Sequence, residues 1–150
     1  MKNPTTTSGR LAAISFVLIA LATALPVHAQ KTDDSLYRDL GGLEVLTKVV
    51  DDTLALALAD VRIKDTFKET DMKRLAKLIT EQFCELSGGP CKYSGDPMKE
   101  VHQGLGLSNM QFNALVEDLQ AAMDKSNIPS RTQNKLLALL APMQRTVVTK

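Results

Sequence analysis

After Asp34, apolar residues recur at steps of three and four, which is the period of a helix with one buried face. The pattern predicts long helices over residues 43–60, from near Asp71 to about Leu86, and in two segments after residue 107. The first long helix carries its apolar stripe at Leu46, Val49, Val50, Leu54, Ala57 and Leu58. No stretch alternates with a period of two, so we predict an all-α fold without a sheet.

The third helix is bounded by clear start and stop signals. Asp71 is a favourable N-cap residue, and Gly88-Gly89-Pro90 ends the helix. Its apolar face carries Leu75, Leu78, Ile79, Phe83 and Leu86, and its charged face carries Lys73, Arg74, Lys77 and Glu81. We therefore expect the helix to pack on a core with one face and to meet solvent with the other.

Two later helices are predicted from capping boxes. Ser108 with Gln111 and Ser130 with Gln133 have the required spacing, so each serine is predicted to begin a helix. The apolar stripe that follows the first box is Phe112, Leu115, Val116, Leu119, Ala122 and Met123. The stripe after the second box is Leu136, Leu137, Leu140, Met143 and Val147. Pro142 predicts a kink or bend in the last helix.

Four shorter features connect the long helices. They are a helical turn over Ser35–Leu40, an irregular corner over Asp60–Asp65 with Phe67 just beyond it, a loop over residues 90–97, and a short helix over Met98–Gln103. Glycines end both short helical pieces, namely Gly41-Gly42 after the first and Gly104 and Gly106 after the second.

The first 29 residues are predicted to be a signal peptide. Two basic residues precede Leu11–Leu25, an apolar stretch of about 15 residues, whereas a membrane helix needs about 20. A proline breaks this stretch, and Val27-His28-Ala29 offers a cleavage site. We therefore predict export to the periplasm or secretion, with a single domain over residues 30–150. The alternative is an uncleaved N-terminal anchor.

The charge balance excludes some classes of partner. Loss of Lys2 and Arg10 with the signal peptide takes the 18 basic residues to 16, against 17 acidic residues, so the net charge becomes −1. There is no basic excess for nucleic acid, and aromatic residues for stacking on bases are scarce. We expect no nucleic-acid partner, and no membrane association once the signal peptide is removed.

Cys84 and Cys91 are the only cysteines, and they flank a turn of serine, glycine and proline residues. In an oxidising compartment they are expected to form a disulfide that contributes about 2 kcal/mol. In the alternative interpretation they are two buried thiols that pack as small apolar groups. A zinc site is disfavoured because the remaining ligands are missing. The sequence leaves the disulfide open.

The candidate chemistry depends on one imidazole. His102 is the only histidine after the predicted signal peptide, because His28 lies within that segment. His102 lies on a short helix between glycine-rich turns, among apolar helices that contain few large aromatic side chains. One neutral imidazole is the usual way in which an α-helical protein holds haem iron from one side. The alternative is a core histidine that bonds to a backbone carbonyl.

Several short stretches occur in a recognisable order. The strongest is Met98-Lys-Glu-Val-His102-Gln-Gly104-Leu-Gly106-Leu. The others are Leu36-Tyr37-Arg-Asp-Leu40-Gly41-Gly42, Leu58-Ala59-Asp60, Phe67, Asp71-Met72, Gly88-Gly89-Pro90 followed by Tyr93, and Leu139-Leu140-Ala141-Pro142. Together they resemble the group 1 truncated haemoglobins over residues 34 to 148, which is nearly all of the predicted mature chain.

The resemblance implies a truncated globin two-over-two helical sandwich around a b-type haem. It implies that His102 is the proximal iron ligand and that Phe67 packs against the porphyrin. A ligating imidazole is expected to donate its other N–H to a carbonyl or carboxylate, but the sequence does not name that acceptor.

The distal side departs from the family. Many members place a tyrosine in the second helix and a glutamine on the distal helix, and both donate hydrogen bonds to bound oxygen. The resemblance puts Leu54 and Ile79 at these places, with Leu75 nearby, so the open face of the iron is expected to be aliphatic. Since a hydrogen bond to a charged group contributes about 1.5–3 kcal/mol, we predict fast oxygen release and ready autoxidation. Nitric oxide and carbon monoxide depend less on such a donor.

Some distal features stay open at this point. Thr53 or Gln82 is an alternative hydrogen-bond donor if its helix is rotated from the predicted register. Lys77 or Met72 is an alternative sixth iron ligand when no gas is bound. Neither choice follows from the sequence alone.

Four lysines and a tyrosine are candidates for contact with the anionic haem propionates. They are Lys73, Lys77, Lys92, Lys99 and Tyr93. For any single lysine, the alternative of a solvated surface charge is the stronger one.

The resemblance favours a haem protein that reversibly binds oxygen or another diatomic gas, such as NO or CO, with a reductase as an unidentified partner. The alternative is a periplasmic haem enzyme that detoxifies nitric oxide or acts as a peroxidase. Nitric oxide dioxygenation needs electrons, and the sequence has no flavin or nicotinamide motif. No catalytic residues are assigned, so we expect a binding protein rather than an enzyme. A helical interaction module without haem is the third alternative.

Overall fold

The computed structural model describes residues 33–150, and the regular secondary structure in this part of the chain is all helical, without a strand. Its helices are α1 (Ser35–Asp39), α2 (Gly42–Ala59), α3 (Met72–Leu86), α4 (Met98–Val101), α5 (Asn109–Lys125), α6 (Ser130–Leu140) and α7 (Gln144–Val147). Two 3₁₀ turns cover Lys64–Phe67 and Ala141–Met143. The predicted signal peptide at residues 1–29 lies outside the described residues.

The long helices form two pairs. Helix α2 packs against α3, α5 packs against α6, and the pairs meet through the contacts of α2 with α5 and of α3 with α6. This arrangement confirms the predicted two-over-two helical sandwich. Within residues 33–150, none of the helices is both long and apolar enough to span a bilayer.

Helix α2 supplies the centre of the core. Leu46, Val49 and Val50 are fully buried, and they pack with Leu136 of α6 and Met123 of α5. Burial of side chains of this size contributes about 1.5–3 kcal/mol each. The predicted stripe is therefore confirmed in its first part.

The prediction was wrong for the last residue of this stripe, because Leu58 is 46% exposed. The helix ends at Ala59, and α2 turns Ala57 rather than Leu58 toward a small second core cluster with Ile63 and Ala114. A helix drifts relative to any strict repeat, so the edge of a long stripe leaves the buried face.

Helix α3 begins and ends as predicted. The Asp71 side chain accepts a hydrogen bond from the backbone N–H of Arg74, at 3.0 Å, and the helix ends at Leu86 with Ser87 as C-cap. Gly88 follows with φ of 87°, a left-handed conformation that a side chain would strain. The chain then enters an irregular loop up to Pro97.

The two predicted capping boxes have different outcomes. Ser108 accepts from the backbone N–H of Gln111, and the Gln111 side chain accepts in return from Ser108, so the first box is confirmed. The second box was wrong, because Pro129 is the N-cap of α6 and Ser130 is already helical. Gln133 is instead buried, and its amide donates to the carbonyl of Ile128 at 2.8 Å.

The remaining boundaries differ little from prediction. Helix α4 ends at Val101, two residues early, so His102 is its C-cap rather than an interior residue. Phe67 closes the 3₁₀ turn instead of lying beyond an irregular corner. Pro142 bends the C-terminal helix as predicted, because the chain passes through a 3₁₀ turn there before α7 begins.

Candidate functional site

The helices enclose a cavity of about 390 Å³ with a largely apolar wall. The wall is built from α2, the 3₁₀ turn at Lys64–Phe67, α3, the loop after α3, α4 and α5, with single residues from α6 and α7. All six residues that the sequence singled out lie on this wall, namely Leu54, Phe67, Leu75, Ile79, Tyr93 and His102. The fold thus brings together residues from five separate parts of the sequence.

His102 contributes the imidazole to the cavity wall. Its Nδ1 lies 2.8 Å from the carbonyl oxygen of Met98, four residues earlier on the same helix. A carbonyl oxygen only accepts, so Nδ1 carries the proton and Nε2 carries a free lone pair. Among the described residues no group bonds to Nε2. The ring is therefore held in the tautomer and orientation that a metal-binding imidazole needs.

Helix α3 forms the aliphatic side of the cavity. Leu75, Leu78 and Ile79 are only half-buried, although they lie on the inward face of the helix, because they line the open space. Leu54 of α2 adds a further aliphatic group and is 5% exposed. None of these side chains can donate a hydrogen bond.

The two alternative donors lie in different places. Thr53 is buried away from the cavity wall, and its hydroxyl donates to the carbonyl of Val49 at 2.7 Å. Gln82 lies on the wall, and its amide nitrogen contacts the sulfur atoms of Met98 at 3.5 Å and Met143 at 3.8 Å. Thioether sulfur is a weak acceptor, so the Gln82 amide is the more available of the two.

Phe67 and Tyr93 supply aromatic groups at two separate points of the wall. Phe67 packs against the second core cluster, together with Leu115 of α5. The Tyr93 hydroxyl donates to the carbonyl of Asp96 at 3.0 Å. Burial, followed by the charge of Asp96, raises the pKa of Tyr93, so its hydroxyl keeps its proton at neutral pH.

The lysine and methionine candidates do not reach the cavity wall. Lys77 pairs with Glu81 at 3.1 Å, and Lys92 pairs with Glu85 at 3.0 Å. Neither of these lysines, nor Lys73, Lys99 or Met72, is among the lining residues. The structure therefore does not bring any of them to the centre of the cavity.

Sequence reasoning missed part of the wall. Met98 and Leu105 line the cavity, and so does most of the apolar stripe of α5, which was predicted simply as core. The scarcity of aromatic residues was the available signal, because short aliphatic side chains leave the centre of a helical sandwich unfilled.

The loop between α3 and α4 is fastened to α3. Cys84 and Cys91 form a disulfide, with their Cα atoms 5.7 Å apart, which settles the alternative that the sequence left open. Glu85 accepts hydrogen bonds from the backbone N–H of Tyr93 at 2.9 Å and from Lys92. Glu81 accepts two from Ser94, at 2.7 and 3.1 Å.

These residues fit a haem. An apolar cavity receives the porphyrin, and a single imidazole with a free Nε2 is suited to the iron. Within residues 33–150, no group of three or more His, Cys, Asp or Glu side chains is arranged to hold a bare metal ion. The donor set therefore matches a metal that brings its own macrocycle.

Comparison with known proteins gives the same family. Residues 35–149 match the family described as bacterial-like globin. The group 1 truncated haemoglobin of Mycolicibacterium paratuberculosis is 36% identical over 115 residues, which cover 77% of this chain and 85% of that protein. The group 1 truncated haemoglobin of Tetrahymena pyriformis is 31% identical over 116 residues, covering 77% and 96% of the two chains.

Solved structures agree with these sequence relationships. The crystal structure of the Tetrahymena pyriformis truncated haemoglobin in the Fe(III) form superposes with a TM-score of 0.74 at 31% identity, over 77% of this chain and 98% of that one. The 2/2 haemoglobin from Synechococcus, at 23% identity and a TM-score of 0.71, shares the fold.

Proposed function

This chain belongs to the group 1 truncated haemoglobins, whose cofactor is haem iron, and we propose that it binds a diatomic gas reversibly with His102 as the proximal ligand. When bound, the haem supplies an iron that takes up oxygen, nitric oxide or carbon monoxide. The observation that carries the proposal is the His102 ring, which lines the apolar cavity with its Nδ1 held by the Met98 carbonyl and its Nε2 free.

Each part of the cavity wall has a role in this proposal. His102, Phe67 and Tyr93 all line the cavity; in this proposal His102 would hold the iron, Phe67 would pack against the porphyrin, and Tyr93 would contact a propionate. Leu54, Leu75 and Ile79 exclude water and offer no hydrogen-bond donor to the gas. Because these three side chains have no donor, and the Gln82 amide is directed to the sulfur atoms of Met98 and Met143, this wall favours gases that need no hydrogen bond, and it predicts rapid loss of oxygen.

The proposal is tested by absorbance and resonance Raman spectra of the protein beside its His102→Gly variant. The wild type is expected to show a Soret band and an iron–histidine stretch in the ferrous form. His102→Gly is expected to lose the stretch and to regain a Soret spectrum like that of the wild type when imidazole is added. Met98→Leu is the matched control, since it keeps the carbonyl that orients the ring and replaces the thioether with an aliphatic side chain of the same number of heavy atoms.

Two outcomes would overturn the proposal. One is a wild type that folds but takes up no hemin, which would favour a helical interaction module. The other is an unchanged iron–histidine stretch in His102→Gly, which would assign the iron to a different ligand.

An enzymatic role is the second candidate, either nitric oxide dioxygenation or a peroxidase reaction. Within the described residues, the cavity wall contains no arginine and no histidine besides His102, and such groups assist cleavage of a peroxide bond. This composition favours binding over a peroxidase. Single-turnover mixing of the oxygenated protein with nitric oxide tests the dioxygenase; stoichiometric nitrate with regeneration by a reductase would establish it.

We also propose export, with residues 1–29 as a signal peptide and residues 30–150 as the mature domain. The Cys84–Cys91 disulfide supports an oxidising compartment such as the periplasm or the cell exterior. Sequencing the N-terminus of the protein from a periplasmic extract tests this, and a chain that begins at Gln30 is expected. A full-length chain in the cytoplasm would contradict it.

A further inference from the structure

We propose that the Cys84–Cys91 disulfide, together with Glu81 and Glu85, is a redox-sensitive clasp that positions His102 against α3 and thereby controls haem retention. The inference rests on the proposed function, because it concerns the same cavity. The inference goes beyond that function because it assigns a role to the disulfide, which lies outside the cavity wall, and because it names a dithiol as the class of molecule that reduces this bond.

The clasp joins the two walls of the cavity. Helix α3 carries the aliphatic wall and α4 leads to His102, and residues 87–97 connect the two helices. The first part of this connection lies along the last two turns of α3, fixed by the disulfide and by the hydrogen bonds that Glu81 and Glu85 accept. Apart from the weak contact of the Gln82 amide with the Met98 sulfur, the position of His102 relative to α3 therefore depends on these attachments.

The attachments differ greatly in strength. The hydrogen bonds from Ser94 to Glu81 are exposed, and the one from the Tyr93 N–H to Glu85 is only partly buried, so these interactions compete with water. The disulfide is covalent, and Cys84 is fully buried in the main core cluster. Breaking the disulfide leaves the loop held only by interactions that open readily, so the reduced loop is expected to fluctuate.

The residues around the disulfide are tightly packed in the oxidised state. A side-chain carbon at Gly89 would lie 2.7 Å from the Cys84 sulfur and 2.6 Å from the Tyr37 ring. Tyr37 in turn donates its backbone N–H to the carbonyl of Ser87 at 3.0 Å. Helix α1, the end of α3 and the loop are thus packed together around the bond.

One of the two sulfur atoms is open to attack. Cys91 is partly exposed and lines a surface groove between α2 and α3, whereas Cys84 is fully buried. That groove shares no lining residue with the haem cavity, so a reductant can approach without entering the cavity.

The redox step is ordinary thiol–disulfide exchange. One thiolate of the dithiol attacks the Cys91 sulfur, and Cys84 leaves as a thiolate that takes up a proton. The second thiol of the reductant then displaces Cys91, which is also protonated. Two electrons and two protons pass from the dithiol to the cysteines, and the dithiol becomes a disulfide.

The experiment compares ferric holoprotein in three forms: untreated, reduced with dithiothreitol and desalted under argon, and the Cys84→Ser/Cys91→Ser variant. Haem transfer to an excess of apomyoglobin is expected to be about tenfold faster in the second and third forms, equivalent to about 1.4 kcal/mol. The iron–histidine stretch of the ferrous proteins is expected to shift in the same two forms. Dithiothreitol is expected to have no further effect on the double variant.

A control separates positioning from general stability. Leu136→Val removes one buried methylene group outside the cavity wall, so it lowers the unfolding midpoint. It is expected to leave haem transfer and the iron–histidine stretch unchanged at temperatures below the midpoint. If Leu136→Val changes both to the same degree as reduction does, the positioning role is wrong.

A readout without haem keeps the two proposals apart. Amide hydrogen exchange of the apoprotein is expected to accelerate over residues 91–102 on reduction and to stay unchanged in α5. Unchanged exchange, or equal haem transfer in the oxidised and reduced forms, would overturn the clasp. Absence of haem uptake with accelerated exchange would overturn the proposed function and the haem-retention role while leaving the loop attachment established.

Discussion

Around Leu46, Val49 and Leu136, apolar side chains are fully buried against one another, whereas Leu75, Leu78 and Ile79 are half-buried against an open cavity. The two regions are built from the same residue types at the same helical spacing. In the first region the protein covers its own apolar surface, and in the second the surface is left for a cofactor. An apolar stripe therefore indicates a face that must be covered, without indicating what covers it.

The sharpest way to test this difference is to remove a leucine from each region. Leu136→Ala is expected to lower the free energy of unfolding of the apoprotein by about 2–5 kcal/mol, because it opens a cavity in a packed core. Leu78→Ala is expected to cost about 1 kcal/mol or less, since its side chain already faces open space. Urea unfolding of the two apoproteins measures both values, and equal losses would contradict the comparison.

A second variant places a hydrogen-bond donor among the aliphatic side chains that α3 contributes to the cavity. Ile79→Gln places an amide on the aliphatic wall, and it is expected to slow oxygen dissociation from the ferrous protein by about ten- to a hundredfold. Stopped-flow measurement of the dissociation rate tests this. Ile79→Leu is the control, since it keeps the size and apolar character of the side chain. A wild type that already releases oxygen slowly would refute the aliphatic wall and would point to Gln82 as the donor.

The third prediction uses the two serines that share one sequence pattern. Ser108 begins α5, which lines the cavity, and Ser130 lies at the start of α6, which belongs to the packed region. Ser108→Ala is expected to lower the free energy of unfolding by about 1 kcal/mol, because it removes a working cap. Ser130→Ala is expected to change it by less than about 0.5 kcal/mol, as for other surface positions. A loss of equal size at both serines, in thermal unfolding, would contradict the assignment of Pro129 as the cap.

The smallest effect concerns pH and the loop beside the cavity. Hydrogen bonds from Ser94 and the charge of Lys77 lower the pKa of Glu81, and the Tyr93 N–H and Lys92 lower the pKa of Glu85, both from 4.5. A lowered pKa means that the stabilisation is fully present above pH 4.5 and is lost as the pH falls through the folded values below it. Intrinsic amide exchange slows on acidification, so the expected result is a fall in the protection factors of the Tyr93 and Ser94 amides, measured relative to that intrinsic rate.

Variants of Glu81 and Glu85 test whether these two carboxylates cause the predicted loss of stability at low pH. Glu81→Gln and Glu85→Gln are each expected to remove part of the acid response, while Glu117→Gln, on the surface of α5, is expected to leave it intact. An acid response that persists in the double variant would assign it to other groups.

Local chemistry explains most of what the sequence predicted correctly. Asp71 and Gly88 act within one turn of their own position, so their roles as helix start and stop follow from residue type. Ser130 and Gln133 show the limit of such patterns. Pro129 supplies the helix start, and Gln133 is drawn inward to the carbonyl of Ile128, a contact that depends on how α5 and α6 meet.

The cavity was predictable in its residues but not in its shape. The family resemblance named Leu54, Phe67, Leu75, Ile79, Tyr93 and His102, and all of them line it. The sequence pattern placed Glu81 on a solvated helix face and did not single out Glu85, because their partners in the loop are seven or more residues away along the chain. The acceptor for His102 is a main-chain oxygen, which no side-chain pattern reveals.

The use of a main-chain carbonyl as the hydrogen-bond acceptor for His102 has a consequence for how the sequence of this protein can change during evolution. An acceptor supplied by an aspartate or glutamate can be lost in one mutation, and its negative charge makes the imidazole a stronger donor. The carbonyl of Met98 is present whatever side chain occupies position 98, and it is uncharged. With His102 as the proposed iron ligand, substitutions in this short helix are therefore expected to leave the electronic character of the imidazole nearly constant, and changes in gas affinity are expected to come from substitutions on the opposite wall.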